Sequence, residues 1–343
     1  MMTRQEAIGL FRDPELIGIG MAADSLRRKL HPEGIASYVI DRNINYTNFC
    51  TEYCTFCAFY RPIGHPEGYI QPKEAIFQKI QETLELGGTG VLMQGGLHPD
   101  LKIDWYEDLL RSIKQRFKIH LHCFSSPEIV NIAEVSGLTL RDTIARLRDA
   151  GLDSIPGGGA EILDDEVRKR ISRLKCSTQE WIDVHLAAHS LGMRTTATMM
   201  FGCGETIEQR MNHLEVVRRI QEQTGGFTAF IPWTFQPENT SLGRSVKEEA
   251  TATDYLKTLA ISRLYLENVL NIQSSWVTQG LKTCQIGLRF GANDVGSIMI
   301  EENVVRAAGT RNKAAEEELR RLIRDAGFVP KQRDTLYRTY FLN

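Results

Sequence analysis

The chain has 343 residues, 42% hydrophobic and 24% charged, with a formal net charge of −2. That length builds a sizeable core, and the near-neutral balance gives no reason to expect nucleic-acid binding, which usually shows as a strongly basic face or domain. No run approaches the ~18 apolar residues of a membrane span, and the opening MMTRQEAIGLFRDPE lacks an apolar signal core, so a cytoplasmic chain with no membrane contact is expected.

A helical opening over about residues 3–30 comes first. Strand-like runs at 37–45, 90–94, 119–124, 154–157, 195–201, 228–234, 272–277 and, more weakly, 291–297 follow. They alternate with helical patterns at 72–86, 103–117, 180–191, 205–223 and 253–270, and the interval from 124 to 154 holds two short helices, about 127–136 and 139–150. A charged amphipathic helix at 314–326 and an extended tail close the chain. Several runs are apolar on both faces, as strands of a helix-covered parallel sheet are. Strand–helix alternation repeated about eight times predicts an α/β fold, a (β/α)8 TIM-type barrel or an incomplete one. The expected division is a helical segment at 1–35, the barrel at 36–310, and a C-terminal helix and tail at 311–343 packed on it.

In such a barrel, function gathers where strands end and loops begin. Polar residues and glycines recur at nearly every strand end here: 45–48, 94–96, 123–126, 157–161, 201–205 and 234–237. The first of these leads into Cys50, Cys54 and Cys57, a C-x3-C-x2-C loop. Three thiolates in one short loop can bind three irons of a cubane and leave the fourth open. Zinc is the bland alternative, with a fourth ligand such as His65, although no second C-x2-C exists. Cys123, Cys176, Cys203 and Cys284 are scattered singly and read as packing residues.

The loop resembles the hallmark C-x3-C-x-aromatic-C of the radical S-adenosylmethionine (SAM) superfamily, with Phe56 in the aromatic place. The resemblance implies a [4Fe–4S] cluster on Cys50, Cys54 and Cys57, SAM on the open iron, and Phe56 against adenine. Gln94-Gly95-Gly96 resembles the family's Gly-Gly-Glu element, which receives the SAM amino group, with Leu97 where the acid would stand. Residues 198–205 resemble its G-x-I-x-G-x-x-E, which places Met200 and Gly202 on the cofactor side and gives Glu205 the following helix to hold. Glu161, after three glycines, matches an acid that binds the SAM ribose or amino group; Ser125 and Arg173 are candidates for ribose and carboxylate. Met200 as plain core, Glu205 as a helix N-terminal acid and Arg173 as part of a solvated basic face are the competing interpretations.

A finer resemblance, spanning roughly residues 36–335, is to the menaquinone futalosine-pathway and deazaflavin (FO) synthase group. It rests on 41–48, 57–60, 93–100, 156–162, 230–237, 275–281 and 290–294. It implies a radical SAM oxidoreductase whose deoxyadenosyl radical takes hydrogen from ribose C4′ of dehypoxanthine futalosine. The sugar radical would then add to the benzoate ring, with an electron donor such as flavodoxin or ferredoxin. Aminofutalosine synthase and FO synthase chemistry stay open within the group, and a zinc-stabilised binding barrel outside it. Candidates for the proton acceptor are His98, His122 and Asp294; for substrate contacts, Asn45, Thr47, Trp233, Gln236 and Asn293. Trp233 and Trp276 suit ring stacking or core packing equally. His185 and His189, four apart on an outer helix, are expected at the surface.

Overall fold

The computed structural model describes residues 2–246, 248–338 and 340–341. The first strand-like run is two strands, β1 (Ile35–Val39) and β2 (Asp41–Asn45), parted at Ile40. There follow β3 (Gly90–Gln94), β4 (His120–Cys123), β5 (Ser154–Ile155), β6 (Arg194–Phe201), β7 (Phe227–Thr234), β8 (Asn271–Ile272), β9 (Asp294–Ser297), β10 (Val329–Arg333) and β11 (Tyr340–Phe341). Strands β2 to β8 form one parallel sheet in chain order, and a second sheet runs β11-β10-β1-β9. The register sets Asn43, Leu92, His122 and Ser154 at one level, with Asn45 and Gln94 two residues nearer the mouth.

A seven-stranded parallel sheet curls into a half-barrel, and β9 carries it round at the N-terminal end. Ser37 of β1 pairs with Asp294 and Val39 with Ser297, while an isolated bridge joins Gln273, just past β8, to Asp294. The result is a partial (β/α)8 barrel, gathered below and open above.

Both strand faces are covered, for different reasons. Ile44, Val91, Met93, Leu121 and Phe230 point outward and are buried in the core, beneath helices such as Lys73–Glu85 and Ile103–Arg116. The alternate positions Asn43, Gln94, His122, Thr196 and Thr198 face inward and line a cavity. Capping boxes at Ser125/Glu128, Ser177/Glu180 and Thr206/Gln209 fix where helices leave the strands.

Several sequence expectations need adjustment. The helical opening is two helices, Arg4–Arg12 and Ile17–Leu30, parted by an extended Asp13 before Pro14. The run at 272–277 is strand only to Ile272, because Trp276 opens a helical segment that reaches Gly287 with a break at Gly280, whose φ is +77°. A short helix, Asp165–Ile171, stands where only a basic stretch was expected. The extended tail is a strand: β10 pairs with β1 in parallel, Ile35 opposite Val329. His185 and His189 are not surface residues. Their helix, Thr178–Ser190, turns them onto β6, where both rings bond to Thr195 Oγ1 and pack against Phe227. Among the described residues no helix is long and apolar enough to cross a membrane.

Candidate active site

The cysteine loop is braced from several sides. Cys50 N–H donates to Arg61 O (3.0 Å), Thr51 N–H to Leu97 O (3.1 Å) and Thr55 N–H to Ile171 O (2.9 Å). Arg61 in turn donates to the carbonyls of Ala58, Phe59 and Tyr60. Cys50 and Cys54 are buried and Cys57 is half-buried, all three as free thiols. Burial raises the Cys50 and Cys54 thiols above their ordinary range. Binding iron therefore means displacing protons. Among the described residues no three His, Cys, Asp or Glu side chains converge as ligands of one metal ion would. A cubane asks for less convergence, since each thiolate holds a different iron.

The loop after β3 is pressed against this one. Gly96 N–H donates to Thr47 O (3.0 Å), and a Cβ on Gly96 would lie 2.1 Å from the Phe49 carbonyl oxygen, so no side chain is tolerated there. A buried acid from another element braces the glycine pair. Glu128, buried at the start of helix Ser126–Ser136, accepts from Gly95 N–H (2.9 Å), Tyr46 Oη (2.8 Å), Ser125 N–H (2.8 Å) and Ser125 Oγ (2.6 Å). The Ser125 hydroxyl proton is thereby committed to Glu128. Sequence reasoning missed Glu128; a capping-box acid three residues after a strand-end serine was the available signal.

Glu161 lies across the mouth with φ +41°, a left-handed conformation unusual outside glycine. Its Oε1 pairs with Lys175 Nζ at 2.9 Å, and Arg168 stands 3.7 Å from Oε2. That Oε2 is buried without a hydrogen-bond partner, and Glu161 lines the central cavity. Lys175 also stands 5.2 Å over the Phe56 ring. Arg173 is exposed, and the cations that reach Glu161 are Lys175 and Arg168.

Beyond β6, Gly202 takes φ +81°. Glu205 accepts from the N–H groups of Gly202 and Cys203 (2.9 Å each) and pairs with Arg210 at 2.7 Å, which ties this turn to the next helix. Met200 is buried on β6, its N–H bonded to Glu161 O.

The central cavity encloses about 270 Å³ between these mouth elements and a floor made by β9, β10 and the tail. Gln94, His122, Glu161 and Trp233 line it, as do Asp41, Asn43, Gln273, Arg333 and Tyr337, which sequence reasoning left out. Asp41 and Asn43 alternate with Arg42 along β2, and that period marks them as inward-facing. Burial raises the Asp41 carboxyl to about 6 against the pull of Ser297 and Arg333. Asn43 Oδ1 is buried without a partner.

Other candidates stand away from the cavity lining. Asp294 is fully buried in a two-point ion pair with Arg333 (2.6 and 2.9 Å) and also accepts from Ser37 Oγ and Gly296 N–H. All its acceptor capacity goes to closing the barrel. Asn293 is held between Arg263, Ile272 N–H and Asn271. His98 Nδ1 accepts from Asp100 N–H at 3.1 Å and its ring meets Phe49 edge-on. Thr47 donates to Tyr69 O, Asn45 to Gln94 O, and Gln236 to Thr234 while accepting from Thr310. Trp276 is core, with its indole N–H on Ser297 O.

Comparison with known proteins accords with this architecture. Residues 44–217 match the radical SAM superfamily, and residues 224–342 match the CofH/MqnC C-terminal region. The cyclic dehypoxanthine futalosine synthase of Halalkalibacterium halodurans is 52% identical over 98% of this chain and 90% of its own length. That of Streptomyces coelicolor is 45% identical over 98% and 85%. The 5-amino-6-(D-ribitylamino)uracil–L-tyrosine 4-hydroxyphenyl transferase of Archaeoglobus fulgidus is 43% identical over 92% and 91%. Methylornithine synthase shares the fold with a TM-score of 0.75 at 19% identity, covering 96% of this chain and 94% of that one. The cysteine loop, the braced glycine pair and the polar barrel cavity are thus set in a family frame, and this chain belongs to the radical SAM superfamily, in the group that shares the CofH/MqnC C-terminal region.

Proposed function

We propose that the chain is a radical SAM cyclase that converts dehypoxanthine futalosine to its cyclic form in menaquinone biosynthesis. The observation that carries this is near-full-length identity, 52% and 45%, to two cyclic dehypoxanthine futalosine synthases.

Cys50, Cys54 and Cys57 would hold the [4Fe–4S] cluster. The chemistry supplied by a bound cluster and SAM is reductive cleavage to methionine and a 5′-deoxyadenosyl radical able to take the ribose C4′ hydrogen. Two features suit this tenancy: Gly96 packs backbone on backbone against the cysteine loop, and Glu161 keeps one buried oxygen without a donor. In this scheme the Gly95–Gly96 backbone, stiffened by Glu128, and the free Glu161 oxygen receive the SAM amino group or ribose hydroxyls. Lys175 holds Glu161 in place through its 2.9 Å contact with Oε1. Phe56, Met200 and Gly202 would border the adenine.

The substrate's own demands fall on the cavity wall. Its ribose hydroxyls need acceptors, and Asn43 and Asp41 offer them one and two layers below Asn45. Gln94 and Trp233 border the region nearer the mouth. Holding C4′ close to the radical source while excluding water is what confines the reaction to one bond. Asn45, Thr47, Gln236 and Asn293 act as positioning residues through the internal hydrogen bonds described above. Of the three proton-acceptor candidates, His122 borders the cavity.

Mass spectrometry of an anaerobic reaction of reconstituted protein, SAM, reductant and dehypoxanthine futalosine tests the proposal. A product two hydrogens lighter, formed with 5′-deoxyadenosine, is expected. Deoxyadenosine without that product, together with coupling of tyrosine to 5-amino-6-(D-ribitylamino)uracil, would move the chain to the transferases. With an intact cluster and no deoxyadenosine at all, the proposal fails.

A further inference from the structure

Closing a ring onto benzoate creates a problem that the proposed chemistry does not itself solve. The adduct regains aromaticity by losing a ring proton and one electron, yet the cavity that protects the radical must keep water out. A proton has to leave a place that solvent cannot enter.

The lower half of the barrel contains a path. His122, on β4, lines the central cavity, and its Nδ1 lies 2.6 Å from Ser154 Oγ on β5. The same Oγ lies 2.7 Å from Nε2 of His120, two residues further down β4. His120 does not line the central cavity. It borders a second cavity of about 570 Å³ at the opposite end of the strands, with Lys114, Lys118, Asp153, Asp334 and Arg338 around it. The tail divides the two spaces: Arg333, Thr335 and Tyr337 face the inner one, Asp334 and Arg338 the outer. Ser154 is completely buried. One hydroxyl and two imidazoles therefore span the partition at hydrogen-bond distance, with no opening needed for water.

We infer that His122, Ser154 and His120 form a proton exit, which carries the ring proton released in cyclisation from the central cavity to the outer one. This rests on the cyclase proposal and extends it. With Nδ1 of His122 occupied by Ser154, Nε2 is the ring nitrogen left for the substrate. The ring C–H bond breaks with its proton passing to that Nε2. His122 Nδ1–H gives its proton to Ser154 Oγ, and the Ser154 hydroxyl gives its own to His120 Nε2. His120 Nδ1–H then releases a proton to the outer cavity. The C–H electron pair stays in the ring as the radical electron departs to a one-electron acceptor, an iron–sulfur centre or a flavin, so charge and atoms balance.

Electrostatics favour conduction over storage. Burial, with His120 and Arg333 adding to it, holds the His122 imidazole down to about 3, and burial also lowers His120 despite Asp153 and Asp334 on one side, with Lys114 and Arg338 opposing them. Neither ring keeps an extra proton at neutral pH, so each passes it on. A purely structural role, in which Ser154 only satisfies two buried rings, would need no continuity between the two cavities.

The test compares His120→Ala with Ser154→Ala in the reconstituted enzyme, reading cyclised product per deoxyadenosine. Both ratios are expected to fall by about 10²-fold, the lower end of what general acid–base groups contribute. Imidazole should restore His120→Ala by occupying the outer cavity, more so for more basic methylimidazoles, and should leave Ser154→Ala unrescued because the break lies inside. In the cofactor-free protein, nitrogen NMR should show Ser154→Ala shifting the tautomer balance of both His120 and His122. Unchanged ratios, rescue of both variants alike, or tautomers indifferent to Ser154 would overturn the relay. Loss of cyclised product in the unsubstituted enzyme, with deoxyadenosine still made, would instead overturn the cyclase proposal.

Discussion

The two ends of this barrel are built from similar materials for opposite ends. At the mouth, charged and polar groups are left with something still to bind: Glu161 has an oxygen without a donor, and three thiols share one loop. At the floor, Asp294 and Arg333 consume each other in a buried two-point pair, with Ser37 and Gly296 filling the remaining valences. An acid with an empty valence facing a cavity is available for chemistry; an acid with every valence filled is a fastener. Asp294 and Glu161 look equally functional as strand-end acids, and only their partners separate them.

The sharpest way to break that comparison is at the mouth. Replacing Cys50, Cys54 or Cys57 by Ala should abolish turnover and cut iron and sulfide to background while leaving the unfolding transition of the cofactor-free protein nearly unchanged. Retention of a full cluster in any one of the three would refute the assignment of that thiol.

The floor should respond in the reverse way. Asp294→Ala leaves the Arg333 guanidinium buried without its partner, which costs about 3–5 kcal/mol. Urea denaturation should show that loss, and any protein that remains folded should still assemble a cluster. A variant of unchanged stability would mean that the pair does not fasten the barrel.

Glu128→Gln is a smaller perturbation, because one of the N–H groups of Gly95 and Ser125 then faces a donor. An unmade buried hydrogen bond of about 1–3 kcal/mol corresponds to a loss of SAM affinity of about 5- to 150-fold by equilibrium binding, with iron content kept. Unaltered SAM binding would show that the glycine pair needs no brace.

The smallest effect expected from any single group is acid sensitivity. Burial lowers His122 and His213 to about 3 and His189 to about 4. The unfolded chain protonates these rings near 6.5 and the folded chain resists, so their contribution is complete above that pH and is lost as the pH falls. Each can contribute a slope on the order of 1 kcal/mol per pH unit. Asp41, raised to about 6, acts oppositely, favouring the fold more as pH falls through that value. Denaturation midpoints at pH 7.5 and 5.5 decide between the two signs: a lower midpoint at pH 5.5 follows from the histidines, and a higher one would mean that the buried carboxyls dominate, Asp41 together with Glu52, which burial raises to about 7.

Local sequence determined a great deal here. Strand–helix alternation announced the barrel because each βα unit carries its own period and caps, and β3 falls at Gly90–Gln94 as expected. The cysteine loop was legible because a cubane's thiolates can come from adjacent positions on one chain. What sequence left undecided were facts of pairing between distant segments. Glu128 bracing Gly95, Lys175 reaching Glu161, and β10 entering the floor beside β1 depend on which residues meet across the barrel. His185 and His189 show the same limit: their spacing says they share a helix face, and only packing on β6 says that the face is buried. Periodicity and motif spacing are properties of a few neighbouring residues. Whether a carboxylate keeps a free valence is a property of everything around it, and only the folded chain decides that.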